Sequence, residues 1–358
     1  MKKTLTLRSR RPFYVSALLI FCTVFGFTLL QTDKLPASDP GNGGIILPDG
    51  FEAVVVIDSL GGGPRPQQPR MDRPRPTAAT TGSTAPRPVR VRSNQGTPTR
   101  TRYQGFYFGA RHLAVAKNGD IYVKLRQSTP TGEANVALRD RNGDGKVDSV
   151  KYWGNYESGQ YGTEMKIHNG YLYYSSELLV LRSKLKPGTL IPEGKVDTIV
   201  IDDMGRHEHI TKPLAFDGKG NMYVGWGAGS NTCQVDNRVQ KSPGMGSPDD
   251  PNNGCPLLKD HGGIWVFDEN KLNQTQKDGE RYATGIRSIV GLEWDKASNS
   301  LYGVVHGRDD FAVIWPELYD YYQSAMLPAE EFFKIPKGFD GGWPYYYYDQ
   351  MQGKKLLN

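Results

Sequence analysis

Cysteine is scarce in this chain of 358 residues, which contains only three. Cys22 lies inside an apolar segment near the N-terminus, so Cys233 and Cys255 are the only pair in the rest of the chain. Neither has a second cysteine a short step away, which disfavours a zinc site. An even pair in an exported protein indicates a disulfide, and we expect one that closes the loop between Cys233 and Cys255.

Long apolar runs are also few, and residues 13–30 form the one that stands out, directly after the basic leader MKKTLTLRSRR. This run predicts export. It is either part of a signal peptide within residues 1–37, with Ala37 as the best cleavage point, or an uncleaved membrane anchor, because its length is at the lower edge for crossing a bilayer and no clear A-x-A site follows. We therefore expect a periplasmic or extracellular protein, with anchoring through residues 13–30 as an alternative.

The expected folded body lacks excess positive charge. The first eleven residues hold five basic side chains, and residues 62–102 hold nine arginines against a single aspartate, whereas the whole chain has a net charge of only +6. The remainder is therefore acidic, which argues against a nucleic-acid partner. Residues 62–102 also contain almost no large apolar side chains, so we predict a disordered Pro/Arg-rich insertion within a domain spanning residues 45–358.

One pattern recurs four times: two alternating apolar residues, a polar turn with Gly or Asn, and an apolar residue next to a tyrosine. Alternation with a period of two predicts β-hairpins, and the first intervals of about fifty residues are typical of four-stranded propeller blades. We predict an all-β propeller with about four to five blades, in preference to a sandwich. The four repeats contain Tyr122, Tyr173, Tyr223 and Tyr302.

Further strands are expected between these hairpins and ahead of the insertion. The segments NVALRD, ELLVLRSKL and GGIWVFDENK each end in a polar turn, and GFEAVVVIDSL precedes the insertion. The turn DRNGDGKVD, from Asp140, resembles the start of an EF-hand calcium loop, but the twelfth position is Lys151 and the flanks are strand-like. A turn stabilised by Asp and Asn side chains and a weak structural calcium site are equal alternatives here.

Polar residues cluster at corresponding ends of the predicted hairpins. In a propeller these ends surround one channel mouth, and loops on a rigid rim commonly carry functional side chains. His207 and His209 share a side only if their segment is extended. The rim residues are His209, Lys212, Arg287, His306, Arg308, Asp309 and Asp310.

Four segments together resemble the soluble quinoprotein glucose and sorbosone dehydrogenase family: HITKPLAFDGKGNMYVGWG, ATGIRSIVGLEWD, VVHGRDDF and GGWPYYYYDQ. The resemblance runs from about Leu47 to the last residue, apart from the insertion. It implies a six-bladed propeller, incomplete in this chain, that binds pyrroloquinoline quinone (PQQ) and calcium. It also implies hydride transfer from an aldose or related sugar aldehyde to PQQ, and an electron acceptor such as a cytochrome or a quinone.

The resemblance also implies roles for single residues. His209 is the expected general base, because its pKa lies near the working pH. Arg287 is expected to bind a cofactor carboxylate through its planar guanidinium. The other expected cofactor contacts are Lys212, Ser288 and Arg308, and the backbone carbonyls of Gly307 and Arg308 are the expected calcium ligands.

Two positions depart from the glucose branch of the family: Ser288 stands in place of Asn, and Ala228 in place of Asp. Two other functions therefore stay open. One is a non-catalytic propeller that binds a glycan or a protein partner across the same channel. The other is a propeller lactonase, which needs several inward carboxylates around one metal, whereas this rim is rich in His and Arg.

Limited proteolysis tests the predicted insertion. Trypsin should cleave readily at the arginines of residues 62–102 and leave intact the acidic body that begins near Leu47, because a disordered segment is accessible to the protease. Mass spectrometry of the fragments would locate the cuts. Stable protection of these arginines would show that the insertion is ordered.

Overall fold

The structure is a computed structural model, and it describes residues 36–58, 60, 109–156, 163–202, 208–247, 249, 254–326, 330–349 and 352–357. The apolar segment 13–30, the predicted insertion and His207 lie outside the described residues. Contacts divide the chain into two units, and each is described by itself. One contains residues 1–57 together with Asn142–Lys146, and the other contains Asp58–Arg141 and Val147–Asn358.

In the first unit, a short 3-10 segment covers Pro40–Gly44, and no strand is assigned between residues 51 and 57. The strand predicted there is wrong. The backbone amides here bind side chains in place of a neighbouring strand. The N–H of Ala53 donates to the Asn42 side chain and that of Val55 to the Asp39 side chain, so these amides are satisfied without a strand partner.

The loop Asn142–Lys146, which resembled a calcium loop, also belongs to this unit. The Asn142 side chain accepts the N–H of Asp144 at 2.9 Å, and the Asp144 carboxylate accepts the N–H of Lys146 at 2.8 Å. Each side chain therefore caps the backbone two residues further along, which is the geometry of an Asx turn. These contacts support the turn interpretation of the two that the sequence left open.

The second unit contains five sheets. The first has the order β1 (Ala110–Val115), β2 (Ile121–Leu125), β3 (Asn135–Arg139), β4 (Ser149–Trp153). The second contains β5 (Met165–His168), β6 (Tyr171–Ser175), β7 (Leu179–Lys184) and β8 (Val196–Ile201). The third contains β9 (Leu214–Phe216), β10 (Asn221–Trp226), β11 (Gly263–Asp268) and β13 (Glu280–Thr284). The second and third sheets each have one more short strand, β12 (Gln274–Thr275) and β17 (Phe339–Asp340).

The fourth sheet contains β14 (Ile289–Asp295), β15 (Ser300–Val305) and β16 (Glu331–Ile335), and the fifth is a hairpin of β18 (Tyr346–Asp349) and β19 (Lys354–Leu357). Helix is sparse among the described residues: α1 (Phe311–Ile314), α2 (Tyr321–Met326), and 3-10 turns at Pro256–Leu258 and Gln276–Asp278. Each of the four predicted hairpins is the first antiparallel pair of its sheet. The first four sheets are four propeller blades, which confirms the predicted fold class.

The cores lie between neighbouring blades, and single strands contribute to two of them. In β10, Met222 and Val224 pack into the cluster shared with the second blade, whereas Tyr223 packs into the cluster shared with the fourth. Successive side chains of a strand point to opposite faces, so β10 buries both. Two parallel crossover strands add to this: β12 pairs with β8 of the second blade, and β17 pairs with β13 of the third.

A disulfide joins Cys233 and Cys255, whose Cα atoms are 6.2 Å apart. It closes the long loop between β10 and β11, and both half-cystines are buried beside Trp343. The loop therefore packs against the body of the unit.

Thiol chemistry tests the contribution of this bond. Replacing both Cys233 and Cys255 with serine should lower the free energy of unfolding by roughly 3 kcal/mol, because a loop of this length gains chain entropy in the unfolded state when the link is lost. Denaturant unfolding of both proteins would measure the difference. Free-thiol labelling of the native protein should modify neither residue, and labelling of both would contradict the assignment.

Candidate active site

The side chains of interest meet at one rim of the propeller. Every blade runs its first strand away from this rim and its second strand back toward it, so the residues before a first strand and after a second strand lie together. His209 precedes β9, Ala228 and Asn231 follow β10, Arg287 precedes β14, and Asp309 follows β15. Hydrogen bonds connect all five. We call them the rim cluster.

His209 is held by the backbone of the neighbouring strand. Its Nδ1 lies 2.8 Å from the carbonyl oxygen of Ala228, and its own N–H donates to the same oxygen. The N–H of Ala228 in turn donates to the carbonyl of Arg287 at 2.6 Å. A carbonyl can only accept, so Nδ1 carries the proton and Nε2 has the free lone pair.

Two features make this imidazole unusual. Nε2 is buried and has no hydrogen-bond partner in the described part of the chain. Gly227 permits the close approach, because a Cβ at that position would lie 2.0 Å from the carbonyl oxygen of His209. Buried polar atoms are rarely left unpaired, so an orphaned ring nitrogen marks a candidate ligand contact.

Burial, and secondarily the charge of Arg287, lowers the pKa of His209 to about 4. The imidazole is therefore neutral at neutral pH and can accept a proton. The same pKa shift determines how the stability of the fold changes with pH. Since the unfolded chain protonates near the ordinary value of 6.5, His209 contributes stability above that pH that is lost as the pH falls toward 4.

Asn231, which the sequence did not single out, is the centre of the cluster. Its Oδ1 accepts from Nε and NH2 of Arg287 at 3.0 and 2.7 Å, and its Nδ2 donates to the carbonyl of Asp309 at 2.7 Å. Its backbone carbonyl accepts the indole N–H of Trp343 at 2.9 Å. The one available signal was its position, a polar residue two positions after the glycine-rich run 225–229.

Arg287 is only 4% exposed, and its guanidinium also contacts Asp309, at 3.4 Å. Asp309 is half-exposed and is paired at the same time with Arg238, which also binds Glu208 and Asp310. Burial alone would raise the pKa of Asp309, but Arg238 and Arg287 more than offset this and hold it below its ordinary value. The rim therefore holds an ionised carboxylate beside a buried guanidinium.

Lys212 and Ser288 do not occupy the positions expected of cofactor contacts. The Lys212 ammonium lies 2.7 Å from Asp202, both side chains are almost fully buried, and it also donates to the carbonyl of Glu177. Its charge is thus neutralised inside the fold rather than presented at the rim. Ser288 is 3% exposed, and its carbonyl accepts the N–H of His306 at 2.8 Å.

Gly307 and Arg308 also differ from expectation. The carbonyl of Gly307 accepts a hydrogen bond from Arg287, so a guanidinium lies where a calcium ion was expected. The described residues contain no group of three or more His, Cys, Asp or Glu side chains that could hold a metal ion. The Arg308 guanidinium lies over the Phe311 ring, 5.0 Å from its centroid, and lines a cavity that Arg287 and Gly307 also line.

Known structures share this architecture. Two structures of a Trichoderma reesei enzyme of carbohydrate-active enzyme family AA12, described as its iodide and calcium structures, superpose with a TM-score of 0.50 at 18% and 17% identity. Each match covers 68% of this chain and 58% of the other, so the chain spans less than two thirds of their length. The holo PQQ domain of Coprinopsis cinerea pyranose dehydrogenase matches with a TM-score of 0.47, at 16% identity over 67% of this chain and 55% of that one.

Comparison of the sequence with protein-family models and with curated proteins gives no match. The match to the AA12 structures shows the fold alone: the chain is a β-propeller of the type found in these enzymes. The family resemblance noted in the sequence is thereby confirmed at the level of the fold. In the described ranges, no helix has the length and apolar character needed to cross a membrane.

A substitution at Lys212 separates a structural role from a cofactor-binding role. Lys212→Met removes the ammonium paired with the buried Asp202 carboxylate and should lower the free energy of unfolding by about 3–5 kcal/mol. Denaturant unfolding measures this. The matched control is Lys337→Met, which removes an exposed lysine paired with Glu280 and should leave stability almost unchanged. Unaltered stability of the Lys212 variant together with weaker PQQ binding would restore the cofactor role.

Proposed function

We propose that this protein is an exported, PQQ-dependent dehydrogenase that oxidises an aldose or a related sugar aldehyde. The observation that carries the proposal is His209: a buried, neutral imidazole, oriented by the Ala228 carbonyl, with an unpartnered Nε2 next to a buried arginine. A positioned base beside a fixed cation is what removal of a hydroxyl proton next to an anionic cofactor requires. The fold shared with the AA12 enzymes supports the same class.

The rim cluster offers the contacts that an anionic planar cofactor needs. The guanidinium of Arg287 is held in place by Asn231, and its contact with Asp309 is long, at 3.4 Å. Asp309 is half-exposed, so it can turn toward water and give way to a cofactor carboxylate. An arginine fork binds a carboxylate in two parallel hydrogen bonds, which fixes its orientation as well as its charge.

PQQ, when bound, supplies a quinone that accepts two electrons as a hydride. Nε2 of His209 takes the proton of the reacting hydroxyl group. The hydride leaves the carbon that carries this hydroxyl, so that the alcohol becomes a carbonyl. An anion bound by Arg287 offsets the repulsion between the guanidinium and a protonated imidazole. The pKa of His209 therefore rises from about 4 toward the working pH when the site is loaded.

Calcium does not form part of this proposal. The Gly307 carbonyl, expected as a ligand, accepts from Arg287 instead, and a divalent cation beside that guanidinium would be repelled. The export and acceptor assignments are proposals of the same kind. The buried disulfide fits an oxidising compartment, either periplasmic or extracellular, where a cytochrome or a quinone would receive the electrons.

Replacement of the base tests the proposal. His209→Gln should reduce sugar-dependent dye reduction by about a hundred-fold or more, the usual contribution of a positioned base, and should leave PQQ affinity nearly intact. PQQ binding is followed by absorbance titration and turnover with a panel of aldoses.

The matched control is His306→Gln, which removes another rim imidazole, one that is half-exposed and paired with Glu330. This variant should keep most of its turnover. Failure of the unaltered chain to bind PQQ, or full turnover in the His209 variant, would overturn the proposal. PQQ binding without any sugar oxidation would favour the non-catalytic, glycan-binding alternative.

A further inference from the structure

We propose that Asp309 and a bound carboxylate compete for the guanidinium of Arg287, and that Arg238 holds Asp309 once the carboxylate has taken its place. The class of ligand is a small carboxylate, and the carboxylates of PQQ are the case that the proposed function supplies. The inference rests on the proposed function for that case alone, because the exchange at Arg287 involves only residues of this chain and a carboxylate group.

The guanidinium of Arg287 has fixed partners on most sides. Its Nε and NH2 donate to the Asn231 side chain at 3.0 and 2.7 Å, and its NH1 donates to the carbonyl of Gly307. Among the described residues, Asp309 supplies the one carboxylate in contact with it, and the distance from NH2 to Oδ2 is 3.4 Å. Strong hydrogen bonds between charged groups are shorter, about 2.7–2.9 Å. Asp309 is therefore the partner of Arg287 that another carboxylate can replace.

Asp309 can make this move without a change in its loop. Its backbone N–H donates to Oδ1 of Asn231 at 3.3 Å, and its carbonyl accepts from Nδ2 of the same residue at 2.7 Å. These bonds fix the main chain, whereas the side chain is half-exposed. Rotation of the side chain between staggered positions therefore shifts the carboxylate while the backbone and the buried Arg287 stay in place.

Arg238 is already in contact with the carboxylate that would move. Its NH1 donates to Oδ1 of Asp309, the oxygen that does not face Arg287. The same NH1 lies 2.7 Å from Asp310, and Nε donates to Glu208 at 2.6 Å. Because Asp309 keeps its bond with Arg238 when it leaves Arg287, the exchange leaves no carboxylate without a positive partner.

This arrangement makes Asp309 a determinant of how tightly the rim cluster binds an anion. A carboxylate that approaches Arg287 has to displace Asp309, because two carboxylates a few ångströms apart repel each other. Loss of the charge on Asp309 should therefore strengthen binding. Loss of a residue that only supports the shape of the site should weaken binding, so the sign of the effect separates competition from a supporting role.

Titration of the full chain with acetate and with PQQ tests the competition. Asp309→Asn keeps the shape of the side chain and removes its charge, and it should tighten the binding of both probes at least about tenfold, because repulsion between charges this close exceeds that factor. The side-chain N–H signal of Arg287 in NMR spectra follows the binding of acetate. Absorbance follows the binding of PQQ.

The matched control is Asp310→Asn. Asp310 is the next residue, its side chain is 43% exposed against 51% for Asp309, and it also pairs with Arg238. It has no ion pair with Arg287 in the part of the chain that the structure describes. Its φ is +61°, a left-handed conformation that asparagine adopts readily, so the substitution adds no strain. This variant should bind both probes almost as the unaltered chain does.

A double-mutant cycle tests the role of Arg238. Arg238→Gln should weaken acetate binding for two reasons: a nearby positive charge is lost, and Asp309 is left with Arg287 as its partner. In a chain that already carries Asp309→Asn only the first reason applies, so the same substitution should weaken binding much less there. Equal effects in the two chains would show that Arg238 does not act through Asp309.

The inference is overturned by weaker or unchanged acetate binding in the Asp309→Asn variant, or by an equal gain in the Asp310→Asn variant. No saturable binding to Asp309→Asn at about 100 mM acetate, far above a millimolar Kd, would also overturn it. If acetate behaves as expected and PQQ binds to none of the chains, the proposed function fails and the exchange stands. Circular dichroism checks the fold of each variant, and Asp309→Ser replaces Asp309→Asn should the latter fail to fold.

Discussion

Burial of both faces of the inner strands is the constraint on which the rest of this structure depends. In β10 alternate side chains enter two different cores, Met222 and Val224 on one side and Tyr223 on the other. A shift of one residue in the pairing of such a strand would exchange the two faces and disrupt both cores at once. The register is therefore fixed, and with it the positions at which each strand begins and ends at the rim.

Because the strand ends are fixed, buried polar groups at the rim can rely on backbone atoms as partners. His209 is oriented by the Ala228 carbonyl, and Arg287 binds the Gly307 carbonyl. Lys166 of β5 also binds backbone atoms: its ammonium donates to the carbonyls of Leu214 and Leu292, at 2.7 and 3.0 Å. Charged groups in such places are tolerated because each contact is made to a backbone atom in a packed strand or in the loop that directly follows one.

The loop after β15 separates two chemically different places. On one side, Arg287 and Asp309 face Asn231 in a polar cluster that contains a neutral imidazole. On the other, the Arg308 guanidinium lies over the Phe311 ring in a cavity lined by several aromatic side chains. Adjacent residues of one loop thus lie in a polar cluster and beside a cavity with several aromatic side chains, and Arg287 contributes to both.

The amino-acid sequence by itself determined the propeller, the four hairpins and the closeness of His209 to Arg287, because these follow from local alternation and from the common direction of the hairpins. Tertiary structure alone decided which polar side chains are exposed at the rim. Asn231 binds Arg287 and Asp309, 56 and 78 residues away, and no local pattern indicates such partners. Lys212 lies in a rim segment, but its ammonium forms a buried ion pair with Asp202. Whether a charge is buried depends on the neighbouring blade that covers it, and the sequence does not show this.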